Sequence, residues 1–418
     1  MNVYLITIGE EILIGQTINT NAAFLGEKLS ENNFDVIKSV TVADEESDIL
    51  DEFKHAFNKA DITIITGGLG PTHDDITKKC IQKFFRSKLI PNNEVLSDIN
   101  SFLEKRGRKI SKALEDQALV PHNAQVIRNY FGTAPGLLLE KDNKLFVSMP
   151  GVPQEMKSMF LNSVLPILNE RRIGDTNFVQ RLTLQTTGIP ESMLSERLGN
   201  LTELLEGAKL AFLPNPFGVK LRITVSEHNE EIARNKLQEI EQRIRTKVGR
   251  FIFGKYDETL EEIVGRLLTE RGLTISVAES CTGGMISNML TNVNGSSAYF
   301  QRGVVAYSNA YKVEILSVNE DTLAQFGSVS LEVARQMAEG VRSTSGSDLG
   351  LSSTGIMGPR GATPEKPVGL VYIGFCDDKL CTARKFIFGN DRLTNKQRTA
   401  QAAIETIRRY LLGISIDD

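Results

Sequence analysis

Short apolar runs rich in β-branched residues alternate with stretches of helical periodicity along the first third of the chain. The apolar runs are VYLITI, FDVIKSVTV and DITIIT, and the helical segments are NTNAAFLGEKLSENN, SDILDEFKHAFNKA and TKKCIQKFF. This alternation with short connections is typical of a parallel sheet that carries helices on both faces. Such sheets bind ligands where their strands end, so the loops after the apolar runs are the expected place for a functional site.

Two further regions follow, and both mix strands with helices. The middle region contains the strand patterns RLTLQTTGI, AKLAFLP and GVKLRITVSE and the long amphipathic segment EEIARNKLQEIEQRIRTKV. The last region begins at FIFGKYDETLEEIVGRLL and contains the strand patterns ISVAES, YFQRGVVAYS, DLGLSST, GLVYIGF and TARKFIF. We therefore predict an α/β protein with an N-terminal parallel-sheet domain over residues 1–170, a small α+β module over 171–253 and a C-terminal α/β domain over 254–418.

Length and composition agree with this division and exclude several classes of protein. The chain has 418 residues, and its apolar (41%) and charged (24%) contents are those of a globular protein with two or three domains. The net charge of −4 gives no reason to expect a nucleic-acid or membrane-surface partner. The start, MNVYLITIGEEILIG, has the pattern of a buried strand and not of a signal peptide, so we expect a cytoplasmic protein.

Cysteine and histidine are scattered along the chain, which argues against a zinc pattern and a His-rich metal site. Cys80, Cys281, Cys376 and Cys381 form neither a disulfide framework nor a zinc pattern, so we expect reduced thiols. The last of the four histidines is His228, which leaves the C-terminal region with none. A Ser-His-Asp arrangement within that region is therefore excluded.

The stretch TGGLGPTHDDIT lies where the third predicted strand meets the helix that follows it. Its glycines lack Cβ atoms, so the backbone could turn sharply towards a ligand, and the N–H groups at the helix start attract anions. A phosphate-binding turn would use Gly67, Gly68, Gly70 and Thr72. The adjacent acids Asp74 and Asp75 allow two interpretations: one of them caps the helix, or the spare carboxylate binds Mg²⁺ beside a phosphate.

The stretch ISVAESCTGG offers three nucleophiles, Ser280, Cys281 and Thr282, directly before two glycines and a predicted helix. The N–H groups of the first helical turn could bind an oxyanion or a phosphate. The alternative is that Ser280 or Thr282 merely caps the helix. Cys281 has the highest intrinsic reactivity, but no partner that would form a thiolate accompanies it, so we expect it to pack behind the turn.

Two other loops of the C-terminal region supply possible partners for a serine. GSSAYFQRGVVAYSNAYKVEIL contains Ser297, Tyr307 and Lys312, and LSSTGIMGPRGATPEKPVG contains Thr354 in a second glycine-rich loop. We expect all three loops to follow strands and to converge at one sheet edge. Without histidine, the base must be a lysine, a tyrosine or a carboxylate, and burial could lower the pKa of Lys312 enough for this role. The commoner position for a single lysine is a solvated one on a helix surface.

The first glycine-rich stretch, together with IGEEILIGQTINTN, GTAPG and MPGVPQEM, resembles the amino-terminal domain of the CinA family. That domain is similar to molybdopterin-binding domains, and the resemblance implies metal-dependent hydrolysis of ADP-ribose at its pyrophosphate. It implies a divalent metal (Mg, Mn or Co) organised by Glu11, Asp74 and Asp75. Glu10 departs from the family pattern, which more often has Asp or Thr at this position.

The segments VAESCTGG, GSSAYF, GVVAYSNAYK, STGIMGP and TPEKPVG resemble the CinA carboxy-terminal domain, whose activity is deamidation of nicotinamide mononucleotide. The resemblance implies Ser280 as the nucleophile and Lys312 as its base, with Ser297 as a relay between them and no cofactor. The division of roles between the two serines stays open. For substrate binding or oxyanion stabilisation the resemblance implies Tyr307, Thr282, Gly283, Gly284, Asn309, Thr354, Gly355 and Arg398.

Three positions of the C-terminal region depart from the family pattern. Met357 stands where the family usually has Ala, and Ala362 stands where Gly is common. In GNDRLTNKQRTA, Lys396 occupies the position of a usual Arg. If that arginine holds the substrate phosphate, Lys396 or Arg398 must replace it.

The middle region resembles the KH-like insertion of long CinA proteins in LQTTGIPESM and FLPNPFGVKLRI, but it lacks the GXXG loop that binds RNA. We interpret it as a spacer or dimer-forming element, with RNA binding as the alternative. The leading hypothesis is a homodimeric pyridine-nucleotide salvage hydrolase whose partners are nicotinamide mononucleotide and ADP-ribose, without nucleic acid or membrane. The rival hypothesis is a non-catalytic pterin- or nucleotide-binding protein that assists competence or DNA-damage responses.

Overall fold

The computed structural model describes residues 1–72, 75–171 and 178–416. Its contacts divide the chain into two compact units, Met1–Thr176 and Asn177–Asp418. The second unit contains both the middle module and the C-terminal region. In the part of the chain that the structure describes, no helix combines the length and the apolar character needed to cross a bilayer.

The first unit is built on a sheet with the strand order β2-β1-β3-β8-β7-β6. Four of its strands are mutually parallel, β1 (Asn2–Ile8), β2 (Asp35–Val42), β3 (Ile62–Thr66) and β8 (Lys144–Met149), and β7 (Gly136–Lys141) and β6 (Gln125–Ile127) add an antiparallel edge. A short antiparallel pair joins β4 (Leu89–Pro91) to β5 (Leu119–Pro121). Every residue of β3 is buried, as expected for a central parallel strand covered on both faces.

Helices pack on both faces of this sheet, in agreement with the sequence-based prediction. They are α1 (Glu10–Leu13), α2 (Thr20–Glu31), α3 (Glu46–Lys59), α4 (Thr77–Phe84), α5 (Asn93–Glu104), α6 (Lys112–Glu115), α7 (Pro153–Met159) and α8 (Leu165–Arg171). The apolar residues form two buried clusters, which include Ile6 with Phe53 and Leu5 with Phe160. Because Leu5 and Ile6 are neighbours on one strand, their side chains point to opposite faces, and each face therefore has its own core.

The middle module at the start of the second unit has an antiparallel sheet with the order β10-β11-β9-β12. Its strands are β9 (Phe178–Thr186), β10 (Lys209–Asn215), β11 (Gly218–Glu227) and β12 (Ile252–Lys255), and its helices are α9 (Glu191–Leu198), α10 (Leu201–Leu205) and α11 (Glu230–Val248). The segment FIFGK, which the sequence assigns to the start of the third region, is instead β12 of this sheet. Its pairing decides the assignment, because β12 forms an antiparallel ladder with β9 of the middle module.

The C-terminal part has a sheet with the order β14-β13-β15-β16-β17. Its strands are β13 (Ile275–Glu279), β14 (Phe300–Val305), β15 (Leu349–Gly355), β16 (Leu370–Cys376) and β17 (Cys381–Ile387). Its helices are α12 (Leu260–Arg271), α13 (Met285–Asn292), α14 (Asn309–Leu316), α15 (Glu320–Phe326), α16 (Leu331–Ser345) and α17 (Arg392–Leu411). Strands β14, β13 and β15 are parallel, so their carboxyl ends share one edge.

Helix α17 holds the middle module against the C-terminal sheet. The Arg408 side chain, only 1% exposed, binds the Glu405 carboxylate and donates to the carbonyl of Arg250 at 2.6 Å. Near the other end of the helix, Arg398 Nε donates to the carbonyl of Pro216 at 3.2 Å. A cavity of about 600 Å³ lies between the two contacts.

Cys376 and Cys381 form a disulfide, which corrects the expectation of reduced thiols. The two residues lie directly opposite each other in the ladder between β16 and β17, so their Cα atoms are 4.1 Å apart. Their separation of five residues in sequence gave no sign of this cross-strand pairing. Cys80 and Cys281 are free and buried.

Candidate active sites

The first candidate site lies at the carboxyl edge of the C-terminal sheet. Ser280 directly follows β13, and its N–H donates to the carbonyl of Ser353 in β15 at 3.0 Å. On the other side, the N–H of Ala306 donates to the carbonyl of Glu279 at 2.9 Å. The two bonds extend the sheet ladder by one residue on each side and bring the loops after all three parallel strands together.

Glu279, the last residue of β13, is a buried carboxylate that closes the amino end of α13. One oxygen accepts from the N–H groups of Gly284 (2.9 Å) and Ile286 (3.1 Å), and the other accepts from the N–H (2.8 Å) and hydroxyl (2.7 Å) of Ser287. From the sequence, the N–H groups at this helix start, including that of Gly284, are expected to bind substrate. The structure corrects this, because a donor that already serves a buried carboxylate is not available to a ligand.

The turn between Glu279 and α13 leaves other donors for a ligand. Gly283 and Gly284 have φ values of +63° and +94°, which other residues rarely adopt. Within the described chain, the N–H groups of Thr282 and Gly283 donate to no acceptor. A Cβ atom on Gly283 would lie 3.2 Å from Lys396 Nζ, so that ammonium borders the turn. The turn that follows Ser280 therefore has two unpaired backbone donors and one cation beside it.

Lys312 on α14 is one of the largest buried side chains of the protein, with 2% of its surface exposed. Burial lowers its pKa, because an ammonium loses hydration there, while the nearby Cys281 raises it by a smaller amount. Its Nζ forms no hydrogen bond to the described residues, and neither does Ser280 Oγ. The alternative of a solvated helix lysine is therefore wrong.

The other two side chains of the ESCT segment have structural surroundings. Burial raises the pKa of Cys281 to about 12, so its thiol stays protonated at neutral pH. The hydroxyl of Thr282 shares a 2.7 Å hydrogen bond with that of Ser353 inside the core. Thr282 does not cap α13, because Glu279 does. Cys281 packs behind the turn, as the sequence analysis expects.

Tyr307 and Asn309 lie on the loop after β14 and at the start of α14, and both are exposed. Arg392, which the sequence analysis did not select, donates to the Tyr307 hydroxyl at 3.1 Å and to the carbonyl of Gly358 at 2.9 Å. It thereby joins the β14 loop to the glycine-rich loop after β15. Arg392 follows Asp391 in the segment GNDRLTNKQRTA, which was compared with the family pattern. This position could have identified Arg392 as a site residue from the sequence.

Three predicted site residues do not contribute as expected. The hydroxyl of Thr354 is buried and donates to the carbonyl of Ser328 at 2.7 Å, so it is not available to an oxyanion. Arg398 reaches the middle module through Pro216, whereas Lys396 borders Gly283. Gly355 is the last residue of β15. A Cβ atom at this position would lie 2.7 Å from the Leu370 carbonyl oxygen, so packing within the sheet requires glycine here.

Ser297 lies at the opposite end of the sheet from Ser280. It belongs to a 3₁₀ turn, Ser296–Ala298, that precedes β14, and the register pairs Phe300 with Ile275 at the start of β13. Glu279 lies four positions beyond Ile275 along β13, so the two serines are at least about 13 Å apart along the strand. The expectation that the Ser297 loop follows a strand is wrong, and one chain does not bring this serine to Lys312.

The second candidate site is a cavity of about 710 Å³ in the first unit. It lies at the carboxyl ends of β1 and β3, and its lining includes Gly67, Gly68, Glu11 and Asp75. A Cβ on Gly67 would meet the Ile8 carbonyl at 2.1 Å, and one on Gly68 would meet Thr77 Oγ1 at 2.1 Å. Both glycines have positive φ, at +106° and +63°, so the turn requires them.

Oxygen atoms dominate this cavity. Glu11, Asp44 and Asp75 supply carboxylates, and two lining side-chain atoms, Thr66 Oγ1 and Asn21 Oδ1, are buried without a hydrogen-bond partner. Unsatisfied buried oxygens are costly, so these two atoms favour a bound donor or cation. Hard divalent cations prefer oxygen donors of this kind, so the chemistry of the lining suits such an ion, although the described acids do not form a preassembled ligand group.

Of the two adjacent acids in the TGGLGPTHDDIT stretch, the structure describes Asp75. Asp75 accepts from the N–H (2.9 Å) and hydroxyl (2.6 Å) of Thr72, so it closes a turn and does not cap α4. Asp74 lies outside the described residues. Among the residues that are described, no group of three Asp, Glu, His or Cys side chains is close enough to hold a metal ion. Gly70 packs against Asp75, where a Cβ would lie 2.5 Å from its carboxylate.

The fold and the two sites define a three-part α/β protein. Residues 4–170 match the family described as a probable molybdopterin binding domain, residues 181–254 the damage-inducible protein CinA KH domain, and residues 257–411 the CinA C-terminal domain. The chain is 40% identical to a CinA-like protein of Kosmotoga olearia, covering 99% of this chain and all of that one. It is 42% identical to a CinA-like protein of Salinibacter ruber, covering 98% and 100%.

This chain belongs to the CinA family. Similar solved structures include the protein CinA with unknown function from Thermoplasma acidophilum, at 34% identity over 40% of this chain and 97% of that one, with a TM-score of 0.37. Another is the competence/damage-inducible protein of Agrobacterium tumefaciens, at 36% identity over 37% and 97%, with a TM-score of 0.35.

Proposed function

We propose that the C-terminal part of the second unit hydrolyses the carboxamide of nicotinamide mononucleotide to nicotinate mononucleotide and ammonia. The observation that carries the proposal is Lys312, a buried lysine of lowered pKa at the sheet edge where Ser280 is presented. Burial without a carboxylate partner is costly for an ammonium, and a neutral amine is the base that a histidine-free site requires.

The proposed reaction is an acyl transfer through Ser280. Its Oγ attacks the amide carbon while its proton passes to Lys312, and the carbonyl oxygen becomes an oxyanion. The N–H groups of Thr282 and Gly283, which have no acceptor in the described chain, would stabilise that charge. The C–N bond then breaks, the proton held by Lys312 goes to the leaving nitrogen, and water hydrolyses the serine ester.

Substrate recognition would use groups around the same edge. Lys396 beside Gly283 would neutralise the phosphate, in the place of the family's arginine. Tyr307, held by Arg392, and Asn309 are exposed at the mouth of the site and would contact the nucleoside. The substrate is a soluble nucleotide, and we propose that the protein acts in the cytoplasm without nucleic acid.

The test is ammonia release from nicotinamide mononucleotide by the purified full-length chain. We expect Ser280→Ala to lower kcat by at least a thousandfold, because it removes the nucleophile. Cys281→Ala is the matched control and should retain activity, since the thiol is buried and protonated. Full activity in Ser280→Ala would refute the assignment of the nucleophile, and no ammonia from the unaltered chain would refute the proposed reaction.

A second activity is proposed for the first unit, because its cavity combines carboxylates with two unsatisfied buried oxygens. We propose that it cleaves the pyrophosphate of ADP-ribose to AMP and ribose 5-phosphate. Glu11 and Asp75, together with Asp74, would hold a divalent cation (Mg, Mn or Co). The cation supplies positive charge at the pyrophosphate, and the turn at Gly67 and Gly68 lets the backbone approach the phosphates.

Chelation tests this second activity. We expect EDTA to abolish AMP formation from ADP-ribose and added Mg²⁺, Mn²⁺ or Co²⁺ to restore it, while ammonia release from nicotinamide mononucleotide continues. AMP formation that is indifferent to EDTA would contradict the metal assignment. The rival function, a pterin- or nucleotide-binding protein without chemistry, predicts ligand binding but neither ammonia nor AMP.

A further inference from the structure

The cavity of about 600 Å³ beside α17 is lined by both parts of the second unit, and neither proposed activity uses it. The middle module contributes residues 187–191 and 214–219, and the C-terminal part contributes the end of β17 and one side of α17. We call this space the junction cavity. Its volume lies within the range of about 300–1,000 Å³ that is usual for small-molecule sites. It is distinct from the Ser280 edge, because Arg398 lines the cavity whereas Lys396, two positions earlier on α17, borders the turn after Ser280.

Aromatic rings from both parts line the junction cavity. Phe217 of the middle module is 39% exposed. At the end of β17, Phe386 and Phe388 are stacked, with ring centroids 5.8 Å apart and an angle of 11° between their planes. The turn that carries Phe217 is fixed, because the N–H groups of Phe217 and Gly218 donate to Asn215 Oδ1 at 2.8 and 3.1 Å. Exposed aromatic rings of this kind bind flat ligands by stacking, as they do the bases of nucleic acids.

Guanidinium groups lie among these rings. The guanidinium carbon of Arg384 lies 5.1 Å from the centroid of the Phe386 ring. Arg398 donates through Nε to the carbonyl of Pro216, and its two terminal nitrogens form no hydrogen bond to the described residues. The planar fork of an arginine matches the oxygens of a phosphate. The junction cavity therefore combines stacking surfaces with donors for an anion.

The acids in the lining do not oppose a bound anion. The Glu405 carboxylate accepts from the guanidinium of Arg408 at 2.7 and 2.8 Å and from that of Arg409 at 2.9 Å, so both of its oxygens are neutralised. Glu191 is exposed in the first turn of α9, where its carboxylate can turn to solvent. Among the described residues that line the cavity, three arginines accompany these two carboxylates, and this balance favours an anionic ligand.

We propose that the junction cavity binds a nucleoside monophosphate. The base stacks on the rings of Phe217, Phe386 and Phe388, and the phosphate accepts hydrogen bonds from Arg384 and Arg398. The middle module is then more than a spacer, because it forms one wall of a ligand site. The inference is independent of both proposed activities, and its test requires no turnover.

Photoaffinity labelling of the full-length chain tests the site directly. The probe is 8-azidoadenosine 5′-monophosphate, whose azide loses N₂ on irradiation and bonds covalently to nearby protein atoms, and mass spectrometry then locates the label. We expect labelled peptides that contain Phe217 or Phe386. Excess AMP should prevent this labelling, and adenosine, which lacks the phosphate, should protect about tenfold less well because it makes no charged hydrogen bonds to the arginines.

Two neighbouring positions of β17 provide a matched control. Arg384→Gln should lower the labelling of the junction cavity about tenfold, because it removes charged hydrogen bonds to the phosphate. Lys385→Gln should leave the labelling unchanged, since successive side chains of a strand point to opposite faces and Lys385 is exposed. Phe217→Ala, a change at an exposed side chain, should lower the labelling by removing a stacking surface.

The proposal is overturned if the label is confined to the first unit or to the loops around Ser280. Equal labelling of the Arg384→Gln and Lys385→Gln chains at equal melting temperature would also overturn it, as would full labelling of Phe217→Ala. Equal protection by AMP and adenosine would overturn the assignment of the arginines to a phosphate.

Discussion

The Glu279 carboxylate and the backbone N–H of Gly284 are joined by a 2.9 Å hydrogen bond at the amino end of α13. From the sequence alone, this helix start is predicted to bind an anionic ligand. In the structure, the Glu279 carboxylate occupies that place. It also fixes the turn that carries Ser280, because the residue before the serine is tied to the residue that begins the helix. Glu279 is thus a positioning residue for the proposed nucleophile.

We expect Glu279→Gln to lower both activity and stability. The glutamine amide nitrogen would face a backbone donor, which leaves one buried N–H unsatisfied and costs about 1–3 kcal/mol of unfolding free energy. Deamidase kcat should fall by about tenfold or more, with a smaller change in KM, because the turn loses its fixed geometry. Glu270→Gln, on the exposed surface of α12, is the control. Unchanged kcat in Glu279→Gln would contradict the positioning role.

Lys312→Met should abolish deamidation and yet stabilise the protein at pH 7. Burial places the pKa of Lys312 below its value in the unfolded chain, so the unfolded chain binds the proton more readily. The penalty on folding is complete below the folded pKa and disappears as pH rises past about 10.4, the usual pKa of lysine. Urea unfolding should therefore show a stabilisation at pH 7 that fades near pH 11. Lys379→Met, at an exposed site, should show neither effect.

The same shift sets the acid limb of the pH–rate profile. Neutral Lys312 is the active base, so kcat/KM should rise with pH through a pKa below the ordinary lysine range. The measurement is kcat/KM for nicotinamide mononucleotide from pH 5 to 10. A profile without an acid limb would contradict general-base action by this lysine.

Lys396 and Arg398 provide a matched pair for the phosphate site. Lys396→Gln should raise KM for nicotinamide mononucleotide by about tenfold, because it removes the cation beside Gly283. Arg398→Gln should leave KM nearly unchanged, because that guanidinium contacts Pro216. A comparison with nicotinamide riboside, which lacks the phosphate, should show no effect of Lys396→Gln. The opposite ranking of the two variants would return the phosphate role to Arg398.

The first unit allows an internal control. Glu11→Gln and Asp75→Asn should each lower AMP formation from ADP-ribose by about a hundredfold while ammonia release from nicotinamide mononucleotide is retained. The reason is that each removes a carboxylate from the cavity of the first unit and leaves the second unit unaltered. Parallel loss of both activities would indicate misfolding and would be detected as a lower melting temperature.

The sequence predicts the architecture well, because periodicity and burial are local properties of the chain. The pattern ISVAES predicts β13, and EEIARNKLQEIEQRIRTKV predicts α11 with both of its ends. The predicted layout brings the loops after β13, β14 and β15 to one edge, but it misplaces the Ser297 turn, which precedes β14. The assignment of FIFGK to the wrong region was an error of pairing: a short apolar run does not specify the strand beside which it lies.

The role of a site residue cannot be predicted from the sequence where it depends on a hydrogen-bond partner distant along the chain. Thr354 looks like a ligand-binding residue until its hydroxyl is seen to donate to Ser328. Lys396 and Arg398 differ by two positions on one helix and therefore face different neighbours, which a motif comparison does not resolve. Ser297 and Ser280 both occur in family motifs, but the register of β13 and β14 separates them.

The contact between Arg408 and the Arg250 carbonyl joins the C-terminal part to the middle module, so it limits where the coding sequence can be cut between them. A C-terminal part that begins after β12 would place a guanidinium, now 1% exposed, at a surface without its carbonyl partner. A gene that encodes the C-terminal part without the middle module must therefore also change the residues of α17 that face the middle module here. Stand-alone versions should carry a different side chain where this protein has Arg408.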